Sequence, residues 1–121
     1  MQVNFKTEEI SFIVDFNNSR TAQEIIQKLP IESVVSTWGD EIYFDIGFKA
    51  SAEDATMELK VGDVAYWPQG KCLCVFFGPT PASSGLAPVP ASPVVLVGKT
   101  KVLPLELKSI QLGERITVTR G

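Results

Sequence analysis

The sequence contains no histidine, only two cysteines, and no apolar run near the roughly 20 residues that span a bilayer. Without histidine there is no Ser-His-Asp triad, no Cys-His pair, no HExxH zinc site and no imidazole pH switch. Basic residues are the minority, 11 Lys and Arg against 14 Asp and Glu, for a net charge of −3. Such a chain is a poor ligand for a phosphate backbone, so nucleic acid is not an expected partner. The opening Met1–Glu9 lacks the basic-then-apolar plan of a leader peptide, and the expectation is a cytoplasmic protein that does not engage a membrane. Cys72 and Cys74 lie two apart in Lys-Cys-Leu-Cys-Val-Phe-Phe. On a strand they share a face with Cα atoms about 6.5–7 Å apart, at the upper limit for a disulfide. Two thiols without further ligands make no metal site, so they read as buried and reduced. No metal and no cofactor is expected.

What is present suits one domain over residues 1–121. Of the 121 residues, 45% are hydrophobic and 21% charged, enough for a single core and too few residues for two. Glu9–Phe16 is rich in β-branched and aromatic residues and reads as a buried strand. Thr21-Ala-Gln-Glu24 matches a capping box, and Ala22, Ile25, Ile26 and Leu29 follow at helical spacing up to Pro30, predicting a helix over 21–29. Gly39-Asp40 separates two apolar stretches and predicts a hairpin. In 41–48 the alternation sends Ile42, Phe44, Ile46 and Phe48 inward and Glu41, Tyr43 and Asp45 outward. Val61–Trp67 and Lys71–Phe77 are further strands, the second apolar on both faces and therefore covered on both. Val94–Thr100 is a strand with a bulge or bend at Gly98, Pro104–Ile110 fits a turn or two of helix, and Arg115–Thr119 is an alternating last strand.

Gly78–Pro93 stands apart, with five of the eight prolines in sixteen residues. It cannot be helix or central strand, and loops of this length are usually functional or disordered. Proline lowers the entropy of the free loop, so the segment suits a defined path forming one wall of a pocket. Six to eight short strands in so small a chain close best as a barrel, which removes exposed edges.

Trp38-Gly-Asp-Glu-Ile-Tyr-Phe44, Gly62-Asp-Val-Ala-Tyr-Trp-Pro-Gln-Gly70, Phe76-Phe-Gly-Pro-Thr-Pro81 and Ala91-Ser-Pro-Val-Val-Leu-Val-Gly98 together resemble a family of small prokaryotic cyclophilin-like proteins of uncharacterised function. The resemblance covers nearly the whole chain. It implies a mainly β fold: a closed cyclophilin-like barrel of about eight strands with one or two short helices at its ends. A fainter similarity runs to the peptidyl-prolyl isomerases, through Thr21–Glu24, Cys74–Phe77, Val94–Gly98 and Arg115–Val118. The isomerases' catalytic arginine is not kept: that region reads Ile42-Tyr-Phe-Asp-Ile46, and the only arginines are Arg20, Arg115 and Arg120. An acidic row in place of a guanidinium repels a prolyl carbonyl rather than polarising it.

In cyclophilins the site lies on the outer face of the barrel wall. The resemblance then points to Glu41, Tyr43, Tyr66, Trp67, one of Phe76 and Phe77, and Thr80 as ligand-binding residues, with Asp45 beside them. Tyr and Trp combine apolar area with a hydrogen-bonding tip, which suits pockets. Glu41 and Asp45 read most simply as a solvated strand face; as a pair about 7 Å apart they suit acid–base work or a cation. For Trp38 and Trp67 the simpler reading is packing at the barrel ends. The expected function is binding of a small molecule or an extended peptide at an aromatic-lined pocket. The alternatives are a weak or divergent prolyl isomerase, a partner-dependent enzyme subunit by fold analogy, or an interaction protein acting as a homodimer.

Overall fold

The computed structural model describes residues 1–121. Nine strands and two short helices follow one another as β1 (Gln2–Lys6), β2 (Ser11–Phe16), α1 (Arg20–Gln27), β3 (Ile31–Val34), β4 (Ser36–Thr37), β5 (Glu41–Asp45), β6 (Asp63–Trp67), β7 (Cys72–Phe76), β8 (Val95–Thr100), α2 (Pro104–Leu107) and β9 (Arg115–Arg120). They form one sheet in the order β3-β9-β1-β2-β8-β6-β7-β5-β4, with every pair antiparallel.

The two edges of that sheet are consecutive in the chain. β3 pairs with β9 and β4 pairs with β5, with only Val35 between them. Val35 is fully buried; its N–H donates to the Glu114 carbonyl at 2.8 Å and its carbonyl accepts from Gly113 N–H at 2.9 Å. Residues 31–37 are thus one bent strand that joins both edges. Counting it once leaves eight positions around the ring, and closure removes the free edge that would otherwise template aggregation.

Strand parity fills the inside. Ile42, Phe44, Val64, Tyr66, Leu73, Val75 and Phe77 join one interior cluster with residues from β1, β2, β8 and β9. Phe5 lies amid Phe12, Phe16 and Phe44, with ring centroids 5.4, 6.4 and 5.9 Å away, in the tilted and edge-on arrangements aromatic quadrupoles favour. Ala22 and Ile25 of α1 and Leu107 of α2 complete the same cluster.

Several local expectations are corrected. The first strand, β1, is not among the expected strands, although Gln2-Val-Asn-Phe-Lys6 alternates strictly with Val3 and Phe5 buried; it pairs with both β2 and β9. β2 is buried on one face only, because its alternate residues, including Ile13, point outward. The helix begins at Arg20, and its cap is Ser19, whose hydroxyl accepts from Ala22 N–H at 3.1 Å. The Thr21–Glu24 pair does not form a capping box. Thr21 donates instead to the Ser51 carbonyl, and Glu24 accepts from the Ser51 N–H at 2.8 Å and its hydroxyl at 2.6 Å, tying the helix to the 49–59 loop. The bulge near Gly98 is present: Val64 pairs with Gly98 but Ala65 pairs with Leu96, leaving Val97 over. A Cβ at Gly98 would sit 2.6 Å from the Asp15 carbonyl, so only glycine lets β2 approach. No helix is long and apolar enough to cross a membrane.

Candidate functional site

A second, smaller apolar cluster covers the outer face of β5, β6 and β7: Ala65, Cys72, Cys74 and Phe76 from the strands, Leu59 and Val94 from the connections, with Tyr43, Trp67 and Leu96 of β8 packed against it. Register explains its shape. Glu41 stands opposite Phe76, Tyr43 opposite Cys74, and Cys74 opposite Ala65. Residues directly opposite point to the same face, so the middle of this face is floored by small side chains and ringed by large ones. The result is a concavity of about 190 Å³. Cys74 and Phe76 form its base with Val94; Glu41, Tyr43, Trp38 and Trp67 form its walls; Pro90 and Ala91 close one side.

Each wall is held. Trp67 Nε1 donates to Ser92 Oγ at 2.6 Å, and Ser92 in turn donates to Gln69 Oε1 at 3.1 Å. The indole lies over Gly70, where a Cβ would come within 2.4 Å of the ring. Tyr43 meets Trp67 edge to face, with centroids 6.4 Å apart and planes at 80°. The turn bearing Trp38 locks onto the start of the proline-rich segment: Asp40 N–H donates to the Pro79 carbonyl at 3.0 Å and Phe77 N–H donates to the Asp40 carbonyl at 2.9 Å. Gly39 adopts φ +61° there, and a Cβ would strike Pro81 and Thr80.

The proline-rich segment is internally braced. Thr80 is buried; its hydroxyl donates to the Val89 carbonyl, and its N–H donates to Ser83 Oγ at 3.0 Å. Ser83 Oγ donates to the Ala87 carbonyl at 2.8 Å. These bonds fold 80–89 on itself and deliver Pro90 and Ala91 to the pocket.

Glu41 is the electrostatic anomaly. It is only 6% exposed, so the solvated-face reading fails for it. Alternation predicts its direction correctly but cannot show that Trp38 and the loop fold over it. It takes part in none of the chain's salt bridges. Burial pushes its carboxyl up to about 7, opposed only by a hydrogen bond from the Cys74 thiol. The Cys74 thiol itself is pushed up by burial and by the Glu41 charge, and Cys72 is pushed up to about 11, chiefly by burial. Both cysteines are free, buried and protonated. Asp45 is exposed and accepts from Gly47 N–H at 2.6 Å; it does not line the concavity, so the carboxylates do not act there as a pair.

Of the residues expected at the site, Glu41, Tyr43, Trp67 and Phe76 meet around this concavity. Tyr66 and Phe77 do not: one residue out of phase with Trp67 and Phe76, they point into the barrel. There the Tyr66 hydroxyl accepts from Ala50 N–H at 3.0 Å. Thr80 braces the loop rather than lining the pocket. Trp38, Cys74, Pro90, Ala91 and Val94 line the concavity without being among the expected ligand residues. For Trp38 the signal was its place three residues before Glu41 in a tight turn; the two loop residues had none beyond lying among prolines.

A family profile described as Cyclophilin-like matches residues 1–119. The chain belongs to the cyclophilin-like family. This cyclophilin-like protein is also similar to the solution structure of a hypothetical protein from Archaeoglobus fulgidus, with 33% identity, a TM-score of 0.84, and coverage of 100% of this chain and 95% of the other. No match was found among curated proteins. Against the isomerase pattern, the cyclophilin-like barrel here has no arginine around its concavity. Arg20 pairs with Glu24 and Glu53, and Arg115 and Arg120 lie on β9. No group of three or more His, Cys, Asp or Glu side chains is placed to hold a metal.

Proposed function

We propose that this cyclophilin-like protein is a binding module that holds a small molecule, or part of an extended peptide, in the outer-wall concavity. The observation that carries the reading is the contrast within one barrel. Its interior is filled, while its outer wall keeps an aromatic hollow with a buried ionisable group, roofed by a braced loop. Concave, mostly apolar sites with few polar groups are the usual form of ligand pockets. Prolyl isomerisation is the weaker reading, since the concavity offers a carboxylate where a carbonyl oxygen needs a donor.

The chain has two tryptophans and both line the concavity, so intrinsic emission reports its occupancy. Titration with a chemically diverse set of small metabolites and short peptides is expected to give saturable emission changes that Tyr43→Ala abolishes. Saturable binding left intact by Tyr43→Ala places the ligand elsewhere and overturns the assignment. A protease-coupled prolyl-peptide assay is expected to run at the buffer rate; a rate reduced by Trp67→Ala instead restores the isomerase reading.

A further inference from the structure

Resting on that reading, we infer that the occupant is a cation: an alkylammonium group of side-chain size, seated between the Glu41 carboxylate and the aromatic side chains of Trp38, Tyr43 and Trp67. Four observations converge. First, Glu41 is the only lining residue with a charged form at neutral pH, and no lysine or arginine borders the hollow. Second, that carboxylate is nine-tenths buried without a salt bridge. A buried charge lacking a partner is costly, and an incoming cation supplies the partner the fold withholds. Third, the rings around it carry negative quadrupolar faces, which attract ammonium groups and repel anions. The Trp67 N–H, which would serve an anion or a carbonyl, is already spent on Ser92. Fourth, the size is right. A cavity of ~150 Å³ holds benzene, so about 190 Å³ takes a butylammonium or a quaternary ammonium and no nucleotide. A metal ion does not fit this donor set, because a single carboxylate and a protonated thiol leave it short of ligands.

The ionisation of Glu41 gives the inference a second handle. The other groups facing it are the Cys74 thiol from β7 and the Tyr43 phenol of its own strand; Trp38, Phe76, Pro90 and Ala91 carry no titrating proton. Asp45 and Cys72 lie further along the same face. With the carboxyl titrating at about 7, its ionised share rises from about a tenth at pH 6 to about nine-tenths at pH 8.

The test titrates the intact protein with tetramethylammonium, n-butylammonium, n-butyramide and butyrate, read by tryptophan emission and by backbone amide resonances of residues 38–43 and 67–76. The ammonium probes are expected to bind on the order of tenfold more tightly than butyramide at pH 8. Tetramethylammonium, whose charge is fixed, is expected to bind about tenfold more tightly at pH 8 than at pH 6. Glu41→Gln is expected to erase both differences; if that variant does not fold, the pH slope of the native chain decides alone. A lysine-containing acetylated tripeptide amide distinguishes sources: tighter binding than n-butylammonium assigns a peptide side chain, weaker binding a free amine. Butyramide or butyrate binding as tightly as n-butylammonium overturns the cation while the pocket reading stands. Silence from all four probes and the tripeptide overturns the cation inference; saturable binding of other compounds at this concavity would leave the pocket reading standing, whereas its absence from the wider titration would overturn that too.

Discussion

The interior of the barrel and the outer face of β5, β6 and β7 are built from alternate residues of the same three strands, yet they are packed in opposite ways. Inside, Ile42, Phe44, Tyr66, Leu73 and Val75 interdigitate with the rest of the cluster. Even the one phenol among them is satisfied, by the Ala50 N–H. Outside, Cys74 and Ala65 are too short to fill the space between Tyr43, Trp67 and Phe76, and a carboxylate sits buried without a charge partner. A chain under selection for stability alone would fill that hollow. The difference teaches that apolar burial on a strand has two outcomes: one face closes the fold, and the other leaves a lined hollow, which is what the proposed binding role requires. Natural proteins tolerate such local inconsistency chiefly at functional sites.

The comparison is broken most severely by truncating matched aromatics on the two faces of β5. Phe44→Ala, inside, is expected to cost about 3–5 kcal/mol by urea denaturation. Tyr43→Ala, outside and only half-buried, is expected to cost less than half of that while abolishing ligand-induced emission changes. Equal losses would make the outer cluster ordinary core.

The next effect is a gain. Glu41 titrates at about 7 in the folded chain against an ordinary 4.5, so the native state holds more protons than the unfolded chain between those values. Stability contributed by this group therefore falls as pH rises from 4.5 through 7, and is lowest above. Glu41→Gln is expected to be more stable than the native chain at pH 8, by about 1–3 kcal/mol, with the difference vanishing below pH 4.5. Thermal unfolding across pH 4–8 measures it. A native chain that loses no stability relative to the variant over that window would mean the carboxylate is compensated after all.

The smallest effect sharpens the comparison at the wall itself. Ser92→Ala removes the acceptor of the Trp67 N–H and is expected to cost only about 1 kcal/mol. It should nonetheless shift tryptophan emission and weaken ligand binding, because it frees the indole from the loop. Unchanged emission would show that Gly70 and Tyr43 alone fix the ring.

Much of this was legible along the chain. The alternation from Glu41 to Phe48, the two-faced strand ending at Phe76, the hairpin at Gly39 and the helix before Pro30 each follow from periods and turn chemistry that act over a few residues. Phase was harder. Phe76 and Phe77 are equally apolar neighbours, and only the pairing of Phe76 with Glu41 decides which one reaches the pocket. The Ser19 cap was hidden behind the Thr21–Glu24 pattern, because Ser51, some thirty residues on, claims those side chains.

By itself the sequence determined the inward and outward faces of 41–45, the absence of histidine chemistry and of the isomerase arginine, and an acidic, aromatic outer row. Tertiary structure alone decided that residues 31–37 bend to close the ring, that the proline-rich loop folds back over β5 and β7, and that Glu41 consequently leaves water. The reason is physical: side-chain direction is a local consequence of backbone geometry, whereas the dielectric around a carboxylate depends on segments brought together across the whole chain.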